Sequence, residues 1–123
     1  MALVEALTYA GICHVAERCG VRLHGLAMDA EGLLPDALDA ACRSNGVRLL
    51  VINPTVHNPT TATVDLEFMQ RVVDFAREHD LLVVHDFAYA DLAFDGYEPP
   101  SILQVPGADE VAVELYTLTK SFS

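Results

Sequence analysis

Lys120 is the one lysine in the chain, and Asp86 closes an apolar run, Leu81–Asp86, that ends in a His-Asp pair. An amine and a carboxylate brought face to face support two chemistries. One is a structural ion pair. The other is a Schiff base between the amine and a carbonyl cofactor, with the carboxylate keeping a ring nitrogen protonated. The second also requires a group to stack on the ring, a donor for a phenolic oxygen and a hydroxyl for a phosphate. Tyr9, Asn58, Tyr89 and Thr117 are the right residue types for those tasks.

For these residues to meet, the elements that carry them must end at one edge. Leu81–Asp86 reads as a strand buried on both faces, because its apolar residues run without alternation. Ala2–Glu5, Val21–Ala27, Val47–Ile52 and Glu110–Tyr116 read as four further strands. Helices are expected between them. The first is capped by Thr8 and runs through Cys19, with Ile12, Val15, Ala16 and Cys19 inward. The second starts at Pro35 and ends at Ser44-Asn45-Gly46. The third spans Asp65–His79, with an apolar stripe of Leu66, Met69, Val72, Val73 and Ala76. MDAEG reads as a turn, the two prolines of NPTVHNPTTAT make that segment a loop, and Ala90–Asp109 is dense in turn residues.

Alternating strands and helices of this kind predict an α/β fold, a five-stranded, mostly parallel, doubly wound sheet with helices on both faces. All strand ends then point to one rim. Tyr9 follows the first strand, His57 and Asn58 the third, Asp86 and Tyr89 the fourth, and Thr117, Thr119 and Lys120 the fifth.

Composition removes several function classes. With 123 residues and 52% hydrophobic content, the chain is read as one globular domain over residues 1–123. A net charge of −11 argues against nucleic acid or an anionic membrane surface as partner. No apolar run approaches the roughly 18 residues of a membrane span, and the start has no signal-peptide pattern. Cys13, Cys19 and Cys42 are odd in number and lack CxxC spacing, so they are expected to be small core residues in a reducing, cytoplasmic compartment. His57 and His85 have no second ligand at helical spacing, and no metal site is expected. His85 is expected to be buried and locally hydrogen-bonded, and Asp91 and Asp95 to be solvated loop carboxylates.

The segments HNPTTAT, VVHDFAYADLAFDG and TLTKSFS, in that order, resemble the large domain of the fold-type I aminotransferases, enzymes that use pyridoxal 5′-phosphate (PLP). The part from Asn58 to Ser123 is most similar to the alanine and LL-diaminopimelate aminotransferase branch. EALTYAG and HNPTTAT resemble the branch of 2-aminoadipate aminotransferases and MocR-type regulators. The resemblance implies transfer of an amino group between an amino acid and a 2-oxo acid, a homodimer, and a strand order of 2-1-3-4-5. It also implies a role for each candidate. Lys120 would form the Schiff base and move the α-proton, and Asp86 would pair with the ring nitrogen. Asn58 and Tyr89 would hydrogen-bond the phenolic oxygen, Tyr9 would stack on the ring, and Thr117 would face the phosphate.

Three parts of the family pattern have no counterpart here: the glycine- and serine-containing phosphate loop, the arginine after the lysine, and the C-terminal domain with its substrate-binding arginine. The chain is therefore expected to be a central slice of a larger enzyme, not competent alone, with its fifth strand as an apolar edge. The alternative is a non-catalytic compact α/β module with no cofactor. A receiver-like or flavin-binding domain of the same strand order is a weaker reading, because no acidic cluster or phosphate loop follows the first strand.

Overall fold

The structure, a computed structural model, describes residues 1–43 and 46–122. The first strand, β1, is Ala2–Glu5, as expected. After α1 (Ala10–Arg18) come β2 (Leu23–Leu26) and a small antiparallel hairpin, β3 (Met28–Asp29) with β4 (Gly32–Leu33). Then follow α2 (Pro35–Cys42), β5 (Leu49–Ile52), α3 (Leu66–His79) and β6 (Leu82–Asp86). A 3₁₀ turn at Ile102–Gln104, a short α4 (Ala108–Val111) and β7 (Ala112–Leu115) complete the order.

The main sheet runs β2-β1-β5-β6-β7 with every neighbouring pair parallel. Setting the hairpin aside, this is the 2-1-3-4-5 order of a doubly wound α/β fold. The hairpin replaces the simple turn expected at MDAEG. Asp29 closes it, its carboxylate accepting from the Glu31 and Gly32 amides at 2.8 and 3.1 Å.

Several boundaries move for local reasons. Tyr9, not Thr8, occupies the N-cap of α1 and makes no side-chain cap. Asp65 caps α3 from outside the helix, accepting the Phe68 amide at 2.8 Å. Phe68 joins the buried stripe of α3 in place of Leu66, which is exposed. Ser44 and Asn45, at the expected end of the second helix, lie outside the described residues. Glu110 and Val111, expected in the fifth strand, are helical: Gly107 starts α4 in the left-handed region, and Asp109 and Glu110 favour its first turn. The segment 90–109 is also more than a surface loop. A Ser101–Gln104 capping box turns Ile102 into the core, beside Val105 and Ala108.

Residues in register on adjacent parallel strands share a face. One face carries Leu3, Leu50 and Val83, all fully buried under α2 and α3 with Leu38, Met69, Val72, Val73 and Ala76. The other carries Val4, Val51, Val84 and Val113, with Asp86 level with Leu115. On this side α1 lies over β1 and β2, and between it and the sheet is a hollow of about 570 Å³ lined by Ile12, Val15, Cys19, Leu49 and Val51.

The expectation that the fourth strand is buried on both faces is corrected here. Val83 and His85 are buried, but Leu82 is 44% exposed, as is Val113, and Leu115 is 55% exposed. An apolar run signals burial only where another element covers it, and among the described residues none lies over this side of β6 and β7. For the same reason α1 buries only Ala16 of its expected inner face. Cys13 and Cys19 are exposed and so are not core residues, whereas Cys42 is half-buried and packs against the core; all three are free. No helix of the described residues is long and apolar enough to cross a membrane.

Candidate functional site

At the carboxyl ends of β1, β5 and β6, a cleft of about 140 Å³ is lined by Tyr9, Asn53, Asn58, Asp86, Ala88, Tyr89 and Lys120. Parallel strands deliver these side chains to one rim although they are spread over most of the chain. Five of the six candidate residues meet there. The sixth, Thr117, does not line the cleft; its Oγ1 accepts the Thr119 amide at 3.1 Å and keeps its own O–H free to donate.

Asp86 is the last residue of β6, and its side chain faces the sparsely covered side of the sheet. One carboxylate oxygen accepts the Ala88 amide at 3.2 Å. Burial raises its pKa, with the Ala88 bond and the charge of Lys120 acting in the opposite sense. Opposite it, the Lys120 ammonium sits 5.8 Å from the centre of the Tyr89 ring, at the outer range of a cation–π contact. Asn58 Nδ2 donates to the Tyr89 hydroxyl at 3.4 Å, a long bond that leaves both groups able to serve a ligand. Asn58 precedes a cis proline, Pro59.

The turn that carries Lys120 is held by the Ser121 and Phe122 amides, which donate to Leu118 C=O. Asp91, expected to be a solvated carboxylate, is exposed but employed: it accepts from the Tyr116 hydroxyl and from Ser121 Oγ. It thereby joins the loop after β6 to the lysine turn.

Two contributions are invisible in residue type alone. Gly11 lies under the Tyr9 ring; a Cβ there would stand 2.2 Å from Tyr9 Cε1 and 2.7 Å from Cζ. The only sequence signal for that contact is the glycine in TYAG. Asn53, at the start of the segment read from sequence only as a loop, is buried and hydrogen-bonds both arms of the cleft, Asn58 and Asp86.

Beneath the cleft, on the packed face, are two buried imidazoles. His57 Nε2 is 3.2 Å from Glu5 Oε2, off the direction of a hydrogen bond, and its Nδ1 is 2.8 Å from Thr60 Oγ1. Burial pushes the Glu5 carboxyl up to about 7 and lowers the His57 pKa, so near neutral pH the imidazole is uncharged and the Glu5 carboxyl retains much of its proton. His85 is fully buried, 3.2 Å from Glu114 Oε2 and again off a hydrogen-bond direction, and burial pushes its pKa down to about 4. Among the described residues no group of three His, Cys, Asp or Glu side chains is placed to hold a metal ion.

The residues present fit the ring end of PLP: a carboxylate, an amine, two hydrogen-bonding groups and an aromatic face. They fit the phosphate end poorly, since among the described residues Lys120 is the one cation that lines the cleft.

The family model for aminotransferases of class I and II matches residues 1–123. An LL-diaminopimelate aminotransferase of Gloeobacter violaceus is 50% identical over 93 residues, covering 74% of this chain and 23% of that protein. Glutamate-pyruvate aminotransferase AlaC of Escherichia coli is 58% identical over 66 residues, covering 54% of this chain and 16% of that protein. Among solved structures, a probable N-succinyldiaminopimelate aminotransferase from Thermus thermophilus superposes with a TM-score of 0.88 at 30% identity, over 98% of this chain and 32% of that one. LysN, an α-aminoadipate aminotransferase from a second strain of Thermus thermophilus, complexed with N-(5′-phosphopyridoxyl)-L-leucine, gives 0.86 at 28% identity, over 97% and 31%. The chain thus spans a third or less of the length of these proteins.

Proposed function

Because the chain belongs to the class I and II aminotransferase family, whose members use PLP, we propose that it supplies the ring-facing part of an aminotransferase site. The reaction would move an amino group between an amino acid and a 2-oxo acid. The observation that carries this reading is the meeting of Tyr9, Asn58, Asp86, Tyr89 and Lys120 around one cleft.

Bound PLP would supply an electron sink for the pair released at the substrate's α-carbon. The chain's own residues would do the rest. A cationic ring nitrogen beside Asp86 would draw its burial-raised pKa back down, so that the carboxylate holds the proton on that nitrogen. Asn58 and Tyr89 would hydrogen-bond the phenolic oxygen. Tyr9, whose ring is half exposed above Gly11, would cover the cofactor's face and exclude water. The Lys120 amine would hold the cofactor's aldehyde end and carry a proton to or from the substrate's α-carbon. Thr117, with its O–H free, would turn toward the phosphate.

A cleft of about 140 Å³ is below the roughly 300 Å³ at which small-molecule sites begin. With one cation to meet a phosphate dianion, the chain by itself is expected to bind PLP weakly and not to turn over. That small volume also favours the second reading, a compact α/β module without cofactor. A cytoplasmic location and a homodimer belong to the same proposal, the first supported by three free thiols.

Incubation with PLP, borohydride reduction and peptide mapping test the reading. An adduct at Lys120 in preference to the N-terminal amine is expected. Equal labelling of both amines, with no rise of the melting midpoint at high PLP, would favour the module.

A further inference from the structure

We propose that Asn53 is the positioning residue that sets both arms of this cleft, holding Asp86 with one end of its side-chain amide and Asn58 with the other. The inference rests on the proposed site and adds a residue to it.

The register of β5 and β6 ends at the pair Ile52–His85. One step further, Asn53 and Asp86 would form the next rung, but the chain after Asn53 turns away into Pro54. The Asn53 side chain takes over. Its Nδ2 donates to Asp86 C=O at 2.7 Å. On the other side of β6, Phe87 N–H donates to Leu115 C=O at 2.9 Å. Asp86 is therefore clamped from both neighbouring strands at the point where it leaves the sheet, which a strand end beside a cleft otherwise lacks.

The other end of the same amide accepts the Asn58 N–H at 2.8 Å. That bond closes a loop of five residues and fixes where Asn58 presents its own side chain to Tyr89. The Asn53 backbone amide donates to Glu5 Oε2 at 2.9 Å, which seats the residue against β1. Asn53 is 4% exposed, so water cannot replace these bonds when they are lost. Only a planar amide offers a donor and an acceptor back to back at this reach. Aspartate has the same shape but would aim an oxygen at the Asp86 carbonyl.

The test uses the whole chain with Asn53→Ala, Asn53→Asp and, as control, Thr63→Ala. Thr63 Oγ1 accepts the Val56 amide at 2.9 Å, so its removal loosens the same loop without touching Asp86. In the cofactor-free chain, the Asp86 carboxyl titration and Asn58 amide exchange are followed by NMR. N53A should return the Asp86 titration toward the ordinary carboxylate range and speed Asn58 exchange by roughly three- to tenfold, the factor one such bond represents. N53D should leave Asn58 protected while disturbing Asp86, and it gives the test on its own should N53A fail to form the fold. T63A should leave the Asp86 titration and Asn58 protection unchanged. If T63A moves them as far as N53A does, or if N53A moves neither, the inference is overturned. Borohydride trapping of PLP is then read separately. Wild-type chain that does not label at Lys120 counts against the proposed function alone; wild type that labels while N53A labels equally well counts against Asn53.

Discussion

The two faces of the central sheet are built from similar strand residues and end in opposite conditions. On one, Leu3, Leu50 and Val83 are sealed under α2 and α3, and even the polar groups there, Glu5, His57 and His85, are cut off from water. On the other, Val113 and Leu115 are about half exposed, and Asp86 stands at the rim beside the cleft. Strand sequence does not separate them, since both faces alternate through Leu and Val. What separates them is cover. The packed face is where stability resides, and the open face is where the chain can meet a ligand or another element.

Substitutions on the two faces should differ most in stability. Leu50→Ala should cost about 2–5 kcal/mol, the range for a large side chain removed from a closed core. Val113→Ala, on the open face, should stay within about 0.5 kcal/mol. Urea unfolding of both variants checks the contrast, and equal losses would mean that the open face is covered in solution.

The second largest effect is pH-dependent. Glu5 is raised from 4.5 to about 7 in the folded chain, so its favourable contribution is complete below pH 4.5 and is lost as pH rises to about 7. At about 1.4 kcal/mol per unit this reaches about 3 kcal/mol. His85, lowered from 6.5 to about 4, acts in the other direction: its contribution is complete above 6.5 and is lost as pH falls toward 4. Between 4.5 and 6.5 the two slopes oppose each other. In wild type the two therefore nearly cancel there, and Glu5→Gln should unmask the His85 slope, so that unfolding free energy in the variant rises between pH 5 and 6.5. A variant whose profile matches wild type would show that Glu5 is ionised throughout.

Gly11→Ala sets local stability against the site. Alanine favours a helix by up to about 1 kcal/mol, so the melting midpoint should hold or rise. The added Cβ must push the Tyr9 ring from its place, and PLP binding should weaken by roughly three- to tenfold, as expected for one aromatic contact. Unchanged binding would remove Tyr9 from the cofactor's face.

Much of this was readable from residue patterns. The strand order is what the family resemblance implied, while the strand Ala2–Glu5 and the alternation of strands and helices follow from local periodicity and caps. So does the meeting of Tyr9, Asn58, Asp86, Tyr89 and Lys120, since parallel strands must end on one rim. Boundaries at α1 and α4 slipped because Tyr9 and Gly107 act as caps through backbone shape, which side-chain type does not report. The burial of α1 and of β6 was overstated because apolar content says nothing of what lies across from it.

By itself, then, the amino-acid sequence determined the parallel α/β architecture and the residue types at its rim, because both depend on periodicity and on side-chain chemistry carried within each segment. Only the tertiary structure decided which face of β6 is closed and that Asn53 bridges Asp86 and Asn58. It alone placed Gly11 beneath Tyr9 and His57 against Glu5. Those facts depend on which atoms from distant parts of the chain come within a few ångströms of one another, and spacing along the chain does not contain that distance.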